Sequence, residues 1–280
     1  MAIGEVKVME AVAAPVSLRS SGARRVRAIA LNTFRESIRD RVLYNLILFV
    51  LILVAASVFV SDLSLDMESQ FTAALGLSAM VVFGALIAIF IGVGLVYKEI
   101  DKRTIYSLLS KPVHRHEFIL GKYAGLCLTL LVNSAVMVLA TELALLYVNG
   151  KFVPLQTAVL AASFLVYLEL ALLVAVALMF SSFSTPMLAA LFSFAVYVIG
   201  HLSKDLLVMA SLSGSTTTRV VLTTLYYLLP NLSNFGFITE ASHGRMVPLG
   251  MAASATVYAT VYIGILLSAA VLIFQKRNFK

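Results

Sequence analysis

Six runs of eighteen to twenty-five residues, nearly free of charge, divide this chain: 43–60, 74–97, 124–148, 157–180, 187–210 and 250–274. A bilayer core of about 30 Å is crossed by roughly 20 helical residues at about 1.5 Å each, so every run is long enough to span. Period-2 alternation is absent, and in lipid each backbone amide must be satisfied within its own segment, which selects helices over strands. The expected fold is therefore an all-α integral membrane protein with six transmembrane helices. Composition agrees: 61% of the 280 residues are hydrophobic and 12% charged. Soluble domains are about half apolar.

The basic residues set an orientation. Connectors on alternate sides of the runs collect seventeen of the 21 Lys and Arg, against four on the other sides. By the positive-inside rule both termini and the 98–122 connector face the cytoplasm. The net charge of +7 tracks this sidedness and forms no single basic face, so a lipid bilayer is the expected partner and nucleic acid is not. Residues 1–42 lack a short apolar region followed by a small-residue cleavage site, so the first run reads as an uncleaved anchor. Residues 1–23 read as a flexible cytoplasmic tail and 24–280 as one transmembrane domain. Cys127 is the only cysteine, which excludes an intrachain disulfide and fits a small core residue.

The apolar stretch 220–229 is too short to cross, and Pro230, Asn231 and Asn234 stop its extension. It reads as a re-entrant or interfacial segment on the extracytoplasmic side, before the last span.

Ahead of the first run, Leu31, Phe34 and Ile38 recur at helical spacing beside Arg35 and Arg39. That pattern predicts an amphipathic interfacial helix along the cytoplasmic leaflet, either a basic anchor or a helix that also touches a partner. The connector itself reads YKEIDKRTIYSLLSKPVHRHEFILGK from residue 97. Its apolar positions predict a short amphipathic helix from Glu99 that ends before Pro112, then a second helical start through Glu117 into the third span. Two to eight residues suffice to join helices, so the excess length points to a platform, with a solvated topology-setting loop as the alternative.

Gly121 and Gly125 form a GxxxG pair, and Gly84, Ala88 and Gly92 repeat at i+4 in the second run. Small-residue stripes let helices approach closely, within one chain or across a dimer. Glu142 and Glu169 lie inside runs, with His201, Lys204 and Asp205 in the outward half of the fifth. Charges in hydrocarbon seek a partner or a water-filled path. By depth, Glu142 and Lys204 can meet in a salt bridge, whereas Glu169 has no evident partner and is the better functional carboxylate. The GKY at 121–123 lacks the remainder of a phosphate-binding loop, no HExxH or nucleophile elbow occurs, and His114 and His116 are spaced wrongly for a metal on one helix face. No catalytic residue, metal site or bound cofactor is expected.

With its flanks, the connector resembles that of the type-2 permeases of ATP-binding-cassette (ABC) transporters. The matching residues are Glu99, Arg103, Thr104, Leu108, Leu109, Pro112, Arg115, Gly121, Lys122 and the later Gly125. FRESIRDR before the first run, six runs and a re-entrant segment before the last also match, over residues 24–280. The resemblance is strongest to the branch that includes multi-copper-enzyme maturation permeases, although no Cys, His or Met cluster here suggests copper. It implies a non-catalytic exporter subunit in the inner (cytoplasmic) membrane. The subunit would work as a dimer, a homodimer first of all, with two copies of a separate cytoplasmic ATPase that holds ATP and Mg and docks on the 98–122 connector. Other classes are an ion- or proton-coupled secondary transporter using Glu142, Glu169 and Lys204 as relays, a membrane scaffold, and last an intramembrane enzyme.

Overall fold

The computed structural model describes residues 22–39, 48, 49, 52, 67–101 and 114–276, with the backbone alone at 39, 95–101 and 276. Among them every regular element is helical. In chain order these are α1 (Gly22–Arg39), α2 (Glu68–Asp101), α3 (Arg115–Asn149), α4 (Pro154–Ser181), α5 (Pro186–His201), α6 (Ser203–Leu212) and α7 (Thr216–Leu228). A 3-10 turn at Leu232–Phe235, α8 (Ile238–Ser242) and α9 (Leu249–Lys276) follow.

Four helices are long and apolar enough to cross a bilayer alone: α2 over Glu68–Gly94, α3, α4, and α9 over Leu249–Gln275. Of the expected first span only positions 48, 49 and 52 lie within the described residues. Phe49 there is buried, and its ring meets Phe83 of α2 edge-on at 6.2 Å.

Side-chain contacts give the helix directions. Ser69 donates to Asn149 Oδ1 at 2.7 Å while a Cβ on Gly76 would strike Thr141, so α2 and α3 run antiparallel. Gly84 faces Leu170 and Gly92 faces Ala177, so α2 and α4 run parallel. Tyr123 donates to the Ala171 carbonyl and Tyr167 to that of Cys127, which fixes α3 and α4 as antiparallel. Helix α4 lies at the centre: Leu170 and each residue from Leu172 to Leu178 is almost wholly buried. A helix apolar on all sides belongs in the middle of a bundle. Its start is set by Pro154 at the first turn and by Gln156, whose Oε1 accepts the Val153 amide at 2.9 Å. Gly150 (φ 65°) closes α3 in the left-handed form that glycine adopts most easily.

The fifth run is not one straight span. It breaks at Leu202, and α5 and α6 meet at 66°. Close packing and side-chain hydrogen bonds mark the residues at the break. A Cβ on Gly200 would lie 2.7 Å from Leu232 Cγ and 2.8 Å from the Pro230 carbonyl, so the 3-10 segment seats directly on the helix backbone. The Ser203 hydroxyl donates back to Gly200 O at 2.8 Å, and Ser233 Oγ donates to His201 O at 3.0 Å. Carbonyls left by the broken ladder are thereby satisfied from side chains, as apolar surroundings demand. Helix α7, which contains most of the 220–229 stretch, has 13 residues and none of them buried. At about 20 Å it falls short of a bilayer core.

Candidate functional site

Two polar arrangements stand out, one at the cytoplasmic end expected from the basic residues and one inside the bundle.

The first joins α1, α3 and α9. Arg25 Nε donates to Glu117 Oε2 at 2.8 Å and Arg25 Nη2 to Oε1 at 2.7 Å, a two-pronged pair that fixes both distance and orientation. One turn on, a Cβ at Gly121 would lie 2.7 Å from Ile29 Cβ and 3.1 Å from Val26 O. Another turn on, a Cβ at Gly125 would lie 2.5 Å from Ala30 O. The three levels advance together along both helices, so α1 runs parallel beside the first turns of α3, with its backbone seated in the groove that the two glycines leave open. Thr33 and Ser37, also on the packed side, are buried, and Ser37 returns its hydroxyl to Thr33 O at 2.8 Å. Leu31, Arg35 and Ile38 are exposed, Phe34 is half-buried, and the Arg39 side chain lies outside the described residues. A helix expected to lie along the leaflet is thus also a packing partner of α3.

Glu117 serves both helices. It accepts the His114 amide at 3.1 Å and so caps α3 while pairing with Arg25. It precedes the apolar run that begins at 124. The Arg25 hydrogen bonds, helped by the one from His114, hold its carboxyl far below the ordinary 4.5, at about 2. Arg115 reaches the other way. Its Nη1 donates to Phe274 O and Gln275 O, both at 2.8 Å, in the last described turn of α9. Phe118 stacks on Phe274 with centroids 5.9 Å apart. Lys122, expected among the connector residues, is only 1% exposed and sits with Nζ 5.7 Å from the Phe118 ring centroid, inside this joint. Glu99 lies in the last turns of α2, while Arg103, Thr104, Leu108, Leu109 and Pro112 lie outside the described residues.

The second arrangement centres on Glu169 of α4, 1% exposed. His201 Nε2, at the end of α5, stands 3.4 Å from its Oε1. His201 Nδ1 is 3.2 Å from Tyr197 O, and the two rings lie 4.7 Å apart. The partner missing from the sequence reading of Glu169 is therefore His201, brought up by the break in the fifth run. The salt bridge expected between Glu142 and Lys204 is absent. The Glu142 oxygens are buried without a hydrogen-bond partner, and Lys204 is exposed on α6, turned away by the 66° bend. A depth count along straight helices misplaced it. Gly84, Ala88 and Gly92 face α4 or are buried against the bundle.

Arg25, Ile29, Thr33 and Ser233 escaped the sequence reading as contact residues. The small-residue stripe Val26, Ala30, Thr33 and Ser37, spaced at i+3 and i+4 like the glycines it meets, was the available signal.

No curated protein matches the chain. The family model described as "ABC-2 family transporter protein" matches residues 27–279, from the second turn of α1 to three residues past α9. With at least four membrane-capable helices and a family match over most of its length, the chain belongs to the ABC-2 family of transporter proteins, as a membrane component of transport.

Proposed function

We propose that the chain is the membrane-spanning permease subunit of an ATP-driven exporter in the cytoplasmic membrane, with both termini on the cytoplasmic side. Two copies form the path, and two copies of a separate ATPase, carrying ATP and Mg, dock on the 98–122 connector. The observation that carries this reading is how the connector's ends are anchored. Helix α2 continues to Asp101 and α3 begins at Arg115, so each end of the connector runs straight into a long helix. The first turns of α3 are tied to α1 by Arg25–Glu117 and to α9 by Arg115. Packed helices move as rigid bodies, so a push on the connector reaches α1, α2, α3 and α9 together. Glu99, Arg103, Thr104, Leu108, Leu109 and Pro112 supply the docking surface, whereas Arg115, Gly121 and Lys122 pass the motion on.

The test pairs full-length protein, in lipid nanodiscs, with the ATPase that co-purifies with it. Leu108→Asp and Arg103→Glu are expected to abolish stimulation of ATP hydrolysis while thermal stability of the permease stays unchanged. Full stimulation in both variants overturns the docking assignment. A second reading, ion-driven transport without an ATPase, draws on the buried Glu169–His201 pair. Uptake driven by a proton gradient in vesicles that lack any ATPase would select it.

A further inference from the structure

His201 ends α5 at the break, and Glu169 faces it from α4. The Tyr197 carbonyl beside His201 Nδ1 accepts only, so Nδ1 carries the hydrogen of that 3.2 Å contact. In a neutral imidazole this leaves a bare lone pair on Nε2, 3.4 Å from a carboxylate oxygen that accepts no aligned hydrogen bond. Two acceptors facing each other in a buried site repel. One proton resolves the conflict, either as a Glu169 hydroxyl donating to Nε2 or as a histidinium donating to the carboxylate.

We propose that Glu169 and His201 form a proton-binding site that holds α5 against α4 at the break, taking up one proton from water as the pair closes and releasing it as α5 swings away. The surroundings fit a latch. Gly200 and His201 offer carbonyls to Ser203 and Ser233, and the Leu232–Phe235 turn is seated on Gly200, so movement of α5 here is felt by the extracytoplasmic loop. The His201 side chain lies at the bundle surface, 37% exposed, whereas Glu169 is sealed.

Of the other described titratable groups, Tyr197 on α5 stands beside the pair, its ring 4.7 Å from that of His201. On α6, Lys204 and Asp205 are exposed and pair with neither. The Leu232–Phe235 turn carries no titratable side chain. On α9, Tyr258 Oη accepts the Asn231 amide and Tyr262 Oη donates to Leu228 O, so both hydroxyls are engaged with the loop. From α2 the one described charge is Glu68, at the start of the helix. From α3, Tyr123 is bonded to Ala171 O and Glu142 makes no ion pair. Glu240 and His243 belong to the α8 region.

Above about pH 6.5 a separated carboxylate and imidazole hold no proton between them, whereas the closed pair holds one. The closed arrangement is therefore favoured by acid and weakened as pH rises. The site stands whichever energy source drives the protein.

Full-length protein in nanodiscs provides the test, using ring-nitrogen NMR with His201→Gln to identify the His201 signal. In Glu169→Gln the His201 titration is expected to shift by at least tenfold in proton concentration. The thermal midpoint of the unaltered protein is expected to fall between about pH 6 and about pH 9, and to be flat in Glu169→Gln, which removes the ionisable carboxyl. An unshifted His201 titration, or a pH slope that survives in Glu169→Gln, overturns the site. Should Glu169→Gln not fold, the slope in the paired change Glu169→Leu with His201→Leu, which removes both titratable groups, decides.

Discussion

Arg25 and Glu117 stand 92 residues apart in sequence and meet through two hydrogen bonds of 2.8 and 2.7 Å, and in the same register Ile29 meets Gly121. A constant offset over successive turns means two parallel helices locked at one end by charge and along their length by close backbone approach. Removing the charge should loosen the lock without dissolving it. Glu117→Gln is expected to lower the thermal midpoint, and the exchange Arg25→Glu with Glu117→Arg to recover part of the loss. The pH dependence has a definite sign. A carboxyl held at about 2 in the folded protein stabilises it fully above the ordinary value of 4.5 and loses that contribution as pH falls toward about 2. The gap between unaltered protein and Glu117→Gln should therefore be constant at neutral pH and close in acid, as measured by thermal unfolding from about pH 7 to about pH 3.

Gly125 gives the steric half of the same lock. A Cβ there would lie 2.5 Å from Ala30 O, a backbone atom that moves only if α1 moves. Gly125→Ala is expected to destabilise by about 1–3 kcal/mol, the usual range for overpacking, with Gly125→Leu worse. Gly94 has nothing within 4 Å of a new Cβ, so Gly94→Ala in a helix interior should be neutral or stabilising. Equal effects at the two positions, read by denaturation in matched detergent, would contradict the groove.

The sequence made the long helices legible because hydrophobic length is a local property: α2, α3, α4 and α9 can be read directly from apolar runs. Gly84, Gly92, Gly121 and Gly125 were legible as close-packing positions but not as to their partners, since the 92-residue offset to α1 depends on tertiary register. The break at Leu202 was hidden for a related reason. What packs there is the Leu232 side chain and the Pro230 carbonyl, seated on Gly200 from thirty residues away, and hydropathy over 187–210 carries no trace of them. Once the helix bends, depth counted along the chain no longer gives spatial neighbours, so the count brings Glu142 to Lys204 and misses the approach of His201 to Glu169.

Gly200 is accordingly the position where the bend can be tested. A methyl group there would lie 2.7 Å from Leu232 Cγ and 2.8 Å from Pro230 O, and only the leucine end is flexible. Gly200→Val is expected to lift the 230–235 segment from α5. A cysteine placed at Leu232, fully buried in the unaltered protein, should then label with a membrane-impermeant thiol reagent at least tenfold faster, in a Cys127→Ala background. Ser203→Ala, which removes a hydroxyl bonded to Gly200 O at 2.8 Å, should cost about 0.5–1.5 kcal/mol and raise labelling less. Unchanged labelling in Gly200→Val would place the cause of the bend elsewhere.

Arg115 tests whether the joint extends to α9. One guanidinium nitrogen serves the carbonyls of Phe274 and Gln275, and Phe118 stacks on Phe274 beside it. Arg115→Met keeps much of the aliphatic bulk and removes both donors. Because the side chain is partly in water, the loss of global stability should stay below about 1 kcal/mol. The local effect should be larger: amide exchange in the final turn of α9 is expected to quicken several-fold, while exchange in α4 stays unchanged. Phe118→Ala removes the stacked ring without touching those carbonyls, so it should weaken α3–α9 packing and leave the last-turn amides less affected than Arg115→Met does. If both variants quicken that turn equally, stacking rather than the arginine bonds holds the end of α9.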